Sequence, residues 1–187
     1  MKVIFLDFDG VLNTPQTWAH HDKLGLDVER VALLQSLCEL TGAVVVISST
    51  WRMVHALEDL RVMLAERGFR GEVIGATPAL LPKRSDEIRA WLDDHHEVTH
   101  YVVLDDSRDA GIPEQTVLTN FKEGLTPVVR DRAAGILARQ ARATCTTCGA
   151  VVAHRGDVVH GTRAVINPAG AFEITVCRST RRQEAAS

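Results

Sequence analysis

Apolar residues follow two rhythms along the first 125 positions of the chain. Short runs at Val3 to Leu6, Ala43 to Ile47, Glu72 to Ala76, Tyr101 to Leu104 and Thr116 to Thr119 have the length and β-branched content of buried strands. Between them the spacing turns helical. Val31, Leu33, Leu34, Leu37 and Leu40 mark one helix, with Asp27 placed to cap it and Gly42 to stop it. Val54, Leu57, Leu60, Met63 and Leu64 mark a second, ending near Gly68. Ser85 opens a third, which contains Ile88 and Trp91, and a last helix covers roughly 128–142. This alternation predicts an α/β, Rossmann-like domain with about five parallel strands and helices on both faces.

The pattern changes after residue 142. Residues 143–178 read as a small Cys-containing β unit, in which Asn167-Pro168-Ala169-Gly170 is a strong turn signal, and 179–187 read as a disordered tail. Charge divides in nearly the same place. Residues 1–129 carry 20 acidic and 12 basic side chains, whereas 130–187 carry 4 acidic and 9 basic, all arginine. A basic end on an acidic body suits an anionic partner such as RNA or DNA. No apolar run reaches the roughly 20 residues of a membrane span, and the start MKVIFLDFDG lacks a secretory cleavage pattern. The expectation is a cytoplasmic protein with no membrane partner.

Of the four cysteines, Cys38 stands alone in a helical stretch and the rest lie near the end. Cys145-Thr146-Thr147-Cys148 has the spacing of a zinc knuckle. Cys177 is a candidate third Zn²⁺ ligand, and His154 and His160 compete for the fourth place. A β unit this short needs such a staple.

The chemistry-bearing residues cluster at the ends of predicted strands. Asp7 and Asp9 follow the first, Ser48-Ser49-Thr50 the second, and Asp105-Asp106 the fourth. In open parallel sheets ligands bind beyond those ends. Several carboxylates gathered at one place would repel a phosphate unless they surround a hard cation, and an all-oxygen set suits Mg²⁺. A carboxylate is ionised at neutral pH and can form an aspartyl phosphate. Gly10 allows a sharp turn after Asp9 and close approach of backbone to phosphate.

Asp7-Phe8-Asp9-Gly10-Val11-Leu12 resembles the DxDGV signature of the haloacid dehalogenase (HAD) superfamily. Ser48, a basic residue opening a later helix, and Asp105-Asp106 match that superfamily's remaining elements in order. The resemblance implies a HAD fold over residues 1–142 and a phosphatase that forms an aspartyl phosphate. Asp7 would be the nucleophile. Asp9 would protonate the leaving oxygen and then deprotonate the attacking water. Ser48 would hydrogen-bond a phosphate oxygen. Asp7, the Asp9 carbonyl, Asp105 and Asp106 would hold Mg²⁺. Lys83 and Arg84 both remain candidates for the basic residue.

Ser49-Thr50-Trp51-Arg52, together with Leu104-Asp105-Asp106, resembles a narrower group, the HAD domain of "Swiss Army knife" RNA-repair proteins. That likeness implies phosphorylated nucleic-acid ends as substrates, with Gly10 and Ser49 as candidate contacts. Trp51 and Arg52 leave two readings open: an aromatic ring and a guanidinium plane suit a nucleotide, and the same side chains could instead pack at the helix start and cap nearby carbonyls. The two places where HAD proteins carry cap domains offer little room: Asn13 to Leu26 is short, and Val54 to Pro82 is filled by a helix and a strand. The expectation is a capless, open site, with 13–27 forming at most a flap that carries His20 and His21. Two alternatives stand beside this one. In the first, the zinc unit and Arg-rich end form a nucleic-acid-binding module. In the second, the enzyme is a small-molecule nucleotidase.

Overall fold

The computed structural model describes residues 1–20, 25–79, 83–110, 112–139, 143–144, 151–152, 158–159, 162–166 and 172–174. Its centre is β1 (Lys2–Leu6), apolar on both faces because a strand in the middle of a parallel sheet meets helices above and below. β2 (Val44–Ile47) pairs with one edge of β1 and β4 (His100–Asp105) with the other; β3 (Val73–Ala76) and β5 (Thr116–Leu118) complete the sheet. All four pairings are parallel, in the order β3-β2-β1-β4-β5. The chain first builds outward through β2 and β3, then crosses back to lay β4 on the opposite side of β1. The direction of winding therefore reverses between β1 and β4, which opens a crevice at their carboxyl ends.

Alternate residues of each strand serve opposite cores. Ile4, Leu6, Val45, Ile47, Val102 and Leu104 pack with α2 (Val28–Thr41), α3 (Leu57–Glu66) and α5 (Pro127–Arg139). Val3, Phe5, Val46, Tyr101 and Val103 pack with α4 (Arg84–Asp93) through Ile88, Trp91 and Leu92. Phe5 meets Trp91 and Tyr101 edge-on, with centroids 5.4 and 5.8 Å apart. The ends of α2 follow the sequence. The Asp27 side chain accepts from the backbone N–H of Glu29 and Arg30, and Gly42 closes the helix at φ 67°.

Several boundaries differ from expectation. The second predicted helix starts later than expected: a 3₁₀ turn at Thr50–Met53 precedes it, Val54 is exposed, and α3 begins only at Leu57. Val54 has the right spacing but no core to face, since the turn is fixed by its own cap at Ser49. α4 opens at Arg84 rather than Ser85. A short helix, α1 (Pro15–His20), lies within the stretch read as a flap. Among the described residues no inserted domain stands between β1 and α2 or between β3 and α4, and no helix is long and apolar enough to cross a membrane.

The chain separates into two units, Met1–Gln140 and Ala141–Ser187. In the second, β6 (Ala143–Thr144) pairs antiparallel with β7 (Val151–Val152). β9 (Thr162–Ile166) lies between β8 (Val158–Val159) and β10 (Phe172–Ile174), antiparallel to both. The five zinc-ligand candidates Cys145, Cys148, Cys177, His154 and His160, the turn at 167–170 and the tail at 179–187 lie outside the described residues.

Leu34 is fully buried where α2 meets the sheet. Leu34→Ala is expected to cost about 2–5 kcal/mol of stability, read as a lower denaturation midpoint in urea with an unchanged slope.

Candidate active site

Asp7 leaves β1 at its carboxyl end and is buried. Its backbone N–H still bonds the Leu104 carbonyl of β4, so the ladder extends one residue beyond the strand. The chain then wraps around Phe8, whose carbonyl accepts from the N–H groups of Val11, Leu12 and Asn13. Gly10 makes this possible at φ 67°, and a Cβ there would lie 2.7 Å from Asp106 Cγ. The first turn and the acidic loop after β4 are thus in direct contact. The Thr119 hydroxyl donates to the Gly10 carbonyl at 2.7 Å, tying in the end of β5 as well.

Asp105 closes β4 and is fully buried, while Asp106 is half-buried. One carboxylate oxygen each from Asp7, Asp105 and Asp106 lie within 4.8 Å of one another. These three side chains could hold a metal ion, and their all-oxygen donor set fits a hard cation such as Mg²⁺. Arg84, at the first position of α4, links two of them. Its Nη1 donates to Asp7 Oδ2 at 2.5 Å and also bonds Asp105 Oδ2. The other Asp7 oxygen accepts from the Phe8 N–H at 2.7 Å, and the Ser49 side chain also helps to hold down the titration of this carboxylate. Asp105 Oδ1 accepts from the Ser107 N–H at 2.8 Å.

This crowding shifts the titration of the group. Burial raises Asp7 above the ordinary carboxylate range, with Arg84 opposing it. Burial and the neighbouring Asp7 charge push Asp105 up to about 7, and the same two causes raise Asp106. For Arg84, burial works against the charge, but Asp7 and Asp105 outweigh it and raise the guanidinium.

The two basic candidates are placed differently. Arg84 lies among the carboxylates, whereas Lys83 is exposed, and no hydrogen bond or ion pair joins it to them among the described residues. Ser48 is brought in by its backbone N–H, which bonds the Leu6 carbonyl at 2.8 Å. Among the described residues its buried hydroxyl has no hydrogen-bond partner.

Of the two readings open for Trp51 and Arg52, their contacts follow the one in which they pack and bond nearby groups. Trp51 is buried, packs edge-on against Phe8 at 5.3 Å, and donates its indole N–H to Asp9 Oδ2 at 2.9 Å. Arg52 donates to the carbonyls of Thr77, Ser49 and Pro78 and forms an ion pair with Glu87. Those partners use up the guanidinium beneath the surface, so Arg52 braces the loop after β2 against α4. Asn13, unremarked in the sequence, donates to the other Asp9 oxygen at 3.0 Å. Glu87 also went unnoticed; its one signal was a charge four residues before Trp91, on the buried face of α4.

The profile of the family described as the HAD domain in Swiss Army Knife RNA repair proteins matches residues 3–128. The chain belongs to that family. Neither a curated protein nor a solved structure gives a match. The matched span of this HAD domain runs from the second residue of β1 into the start of α5 and so takes in all of the parallel sheet but Lys2. Membership points to a hydrolase of the HAD type, and the three acidic side chains are where such a domain could hold a metal.

Arg52→Ala would leave Glu87 buried and unpaired, and is expected to cost about 3–5 kcal/mol; a melting curve unchanged from wild type would remove the bracing role. The raised Asp105 gives a second expectation. Its folded value stands near 7 against an ordinary 3.8, so its contribution to stability is complete below the lower value and is lost as pH rises through the higher. In chelator, wild type should lose thermal stability relative to Asp105→Asn between about pH 4 and about pH 7; parallel curves for the two proteins would refute the shift.

Proposed function

We propose that this HAD domain is a Mg²⁺-dependent phosphomonoesterase that works through an aspartyl phosphate on Asp7, acting on nucleotides or phosphorylated nucleic-acid ends. The observation that carries the reading is the convergence at Asp7. One carboxylate stands beside a guanidinium and two further carboxylates.

When bound by Asp7, Asp105 and Asp106, the metal would neutralise charge on the phosphoryl group and polarise it. The chain's own groups account for the rest. Asp7 attacks phosphorus as the bond to the leaving oxygen breaks, and Asp9 delivers the proton that oxygen needs. Ser48 donates to a phosphoryl oxygen, and Arg84 keeps Asp7 charged and aimed. Asp9, now a base, takes a proton from water as that water attacks the aspartyl phosphate. Inorganic phosphate leaves and Asp7 is restored.

The family's association with RNA repair supports nucleic-acid ends as substrates. So does the lack of an inserted cap among the described residues, since an open crevice can admit the end of a polymer.

Asp7→Asn should lower phosphate release from an aryl phosphate in Mg²⁺ by about a thousandfold or more, while leaving the fold intact by circular dichroism. Full activity in that variant would end the nucleophile assignment. A comparison of 5′- and 3′-phosphorylated oligonucleotides with free mononucleotides then separates end processing from nucleotidase activity.

A further inference from the structure

Both oxygens of the Asp9 carboxylate are held by N–H donors. The Trp51 indole bonds Oδ2 at 2.9 Å and the Asn13 amide bonds Oδ1 at 3.0 Å. The amide can face Asp9 only through its nitrogen, because the opposite orientation would set two acceptors against each other. Both donors are anchored on the same piece of chain. The Asn13 backbone N–H bonds the Phe8 carbonyl at 3.1 Å, and the Trp51 ring rests edge-on against the Phe8 ring. Asn13 is fully buried, and Trp51 sits in the 3₁₀ turn whose cap is the Ser49 side chain. Neither side chain hydrogen-bonds Asp7, Asp105 or Asp106, so whatever either does for the chemistry passes through Asp9.

We infer that Trp51 and Asn13 are positioning residues, a two-point clamp that fixes the rotation of Asp9 for proton transfer to the leaving oxygen. A carboxyl free to turn about its side-chain bonds meets that oxygen in only a fraction of its orientations. Two donors fixed in buried packing remove that freedom before substrate arrives. This inference rests on the phosphatase reading above and extends it: the tryptophan that follows Ser49-Thr50 serves the enzyme's acid rather than the substrate's base.

The test compares leaving groups. A nitrophenolate departs as a stable anion, whereas an alkoxide needs its proton, so only the second depends strongly on a well-aimed acid. Trp51→Phe keeps an aromatic ring against Phe8 and removes the N–H. With Mg²⁺ present, kcat/KM of the full chain is measured for 4-nitrophenyl phosphate and for a simple alkyl phosphate. The expected loss is about tenfold or more greater for the alkyl ester, with Asn13→Ala giving the same pattern by an independent route. Equal losses on the two esters in both variants, or no loss on the alkyl ester, would overturn the clamp. The underlying reading fails differently: wild type would release no phosphate, or Asp9→Asn would itself fail to discriminate between the esters.

Discussion

Two carboxylates from different strands cannot be buried side by side without something to offset their repulsion, and in this protein that something is the Arg84 guanidinium. Asp7 ends one strand and Asp105 its neighbour, both withdrawn from water, with one arginine nitrogen bonding the two. Burial raises both acids, the Asp7 charge adds to the rise at Asp105, and Arg84 opposes each shift. The rest of the domain serves this contact. β3 must run out to the far side of β2 so that the chain returns through α4, and it is the first residue of α4 that reaches back across the sheet. The reversal of winding that opens the crevice also brings the arginine into it.

A layer of structure beneath the carboxylates keeps them in place. Gly10 allows the first turn to touch Asp106, and Thr119 secures the same turn from β5. The loop after β2 is held by Arg52 and its buried partner Glu87. Four strand ends are therefore linked to one another by side chains or by backbone, rather than standing as separate loops.

Much of this could be read along the chain. Strand runs and helix periods gave the α/β class because each element buries one face or two, and that demand is written locally. The acidic pairs, Ser48 and the glycine turn were legible for a similar reason: few residue types can do those tasks, and they stand at strand ends. Positions 83 and 84 could not be separated, since only the direction in which α4 enters decides which side chain faces inward. Trp51 and Arg52 left two readings open. Both residue types suit a nucleotide, yet here their donors found Asp9, Glu87 and nearby carbonyls. Partnerships such as Arg52 with Glu87, 35 residues apart, leave no local trace, and Asn13 carried no signal beyond its place after the first motif.

The pairing of β1 with β4 sets Leu6 level with Leu104, and so Asp7 beside Asp105. Side chains alternate along a strand, so a slip of one residue would send Ile4 and Leu6 to the face of α4 and put Phe8 where Asp7 now stands. Core and crevice are two readings of a single alignment. A misregistered sheet could not retain a weakened site; it would lose its hydrophobic faces and its acidic cluster in the same step.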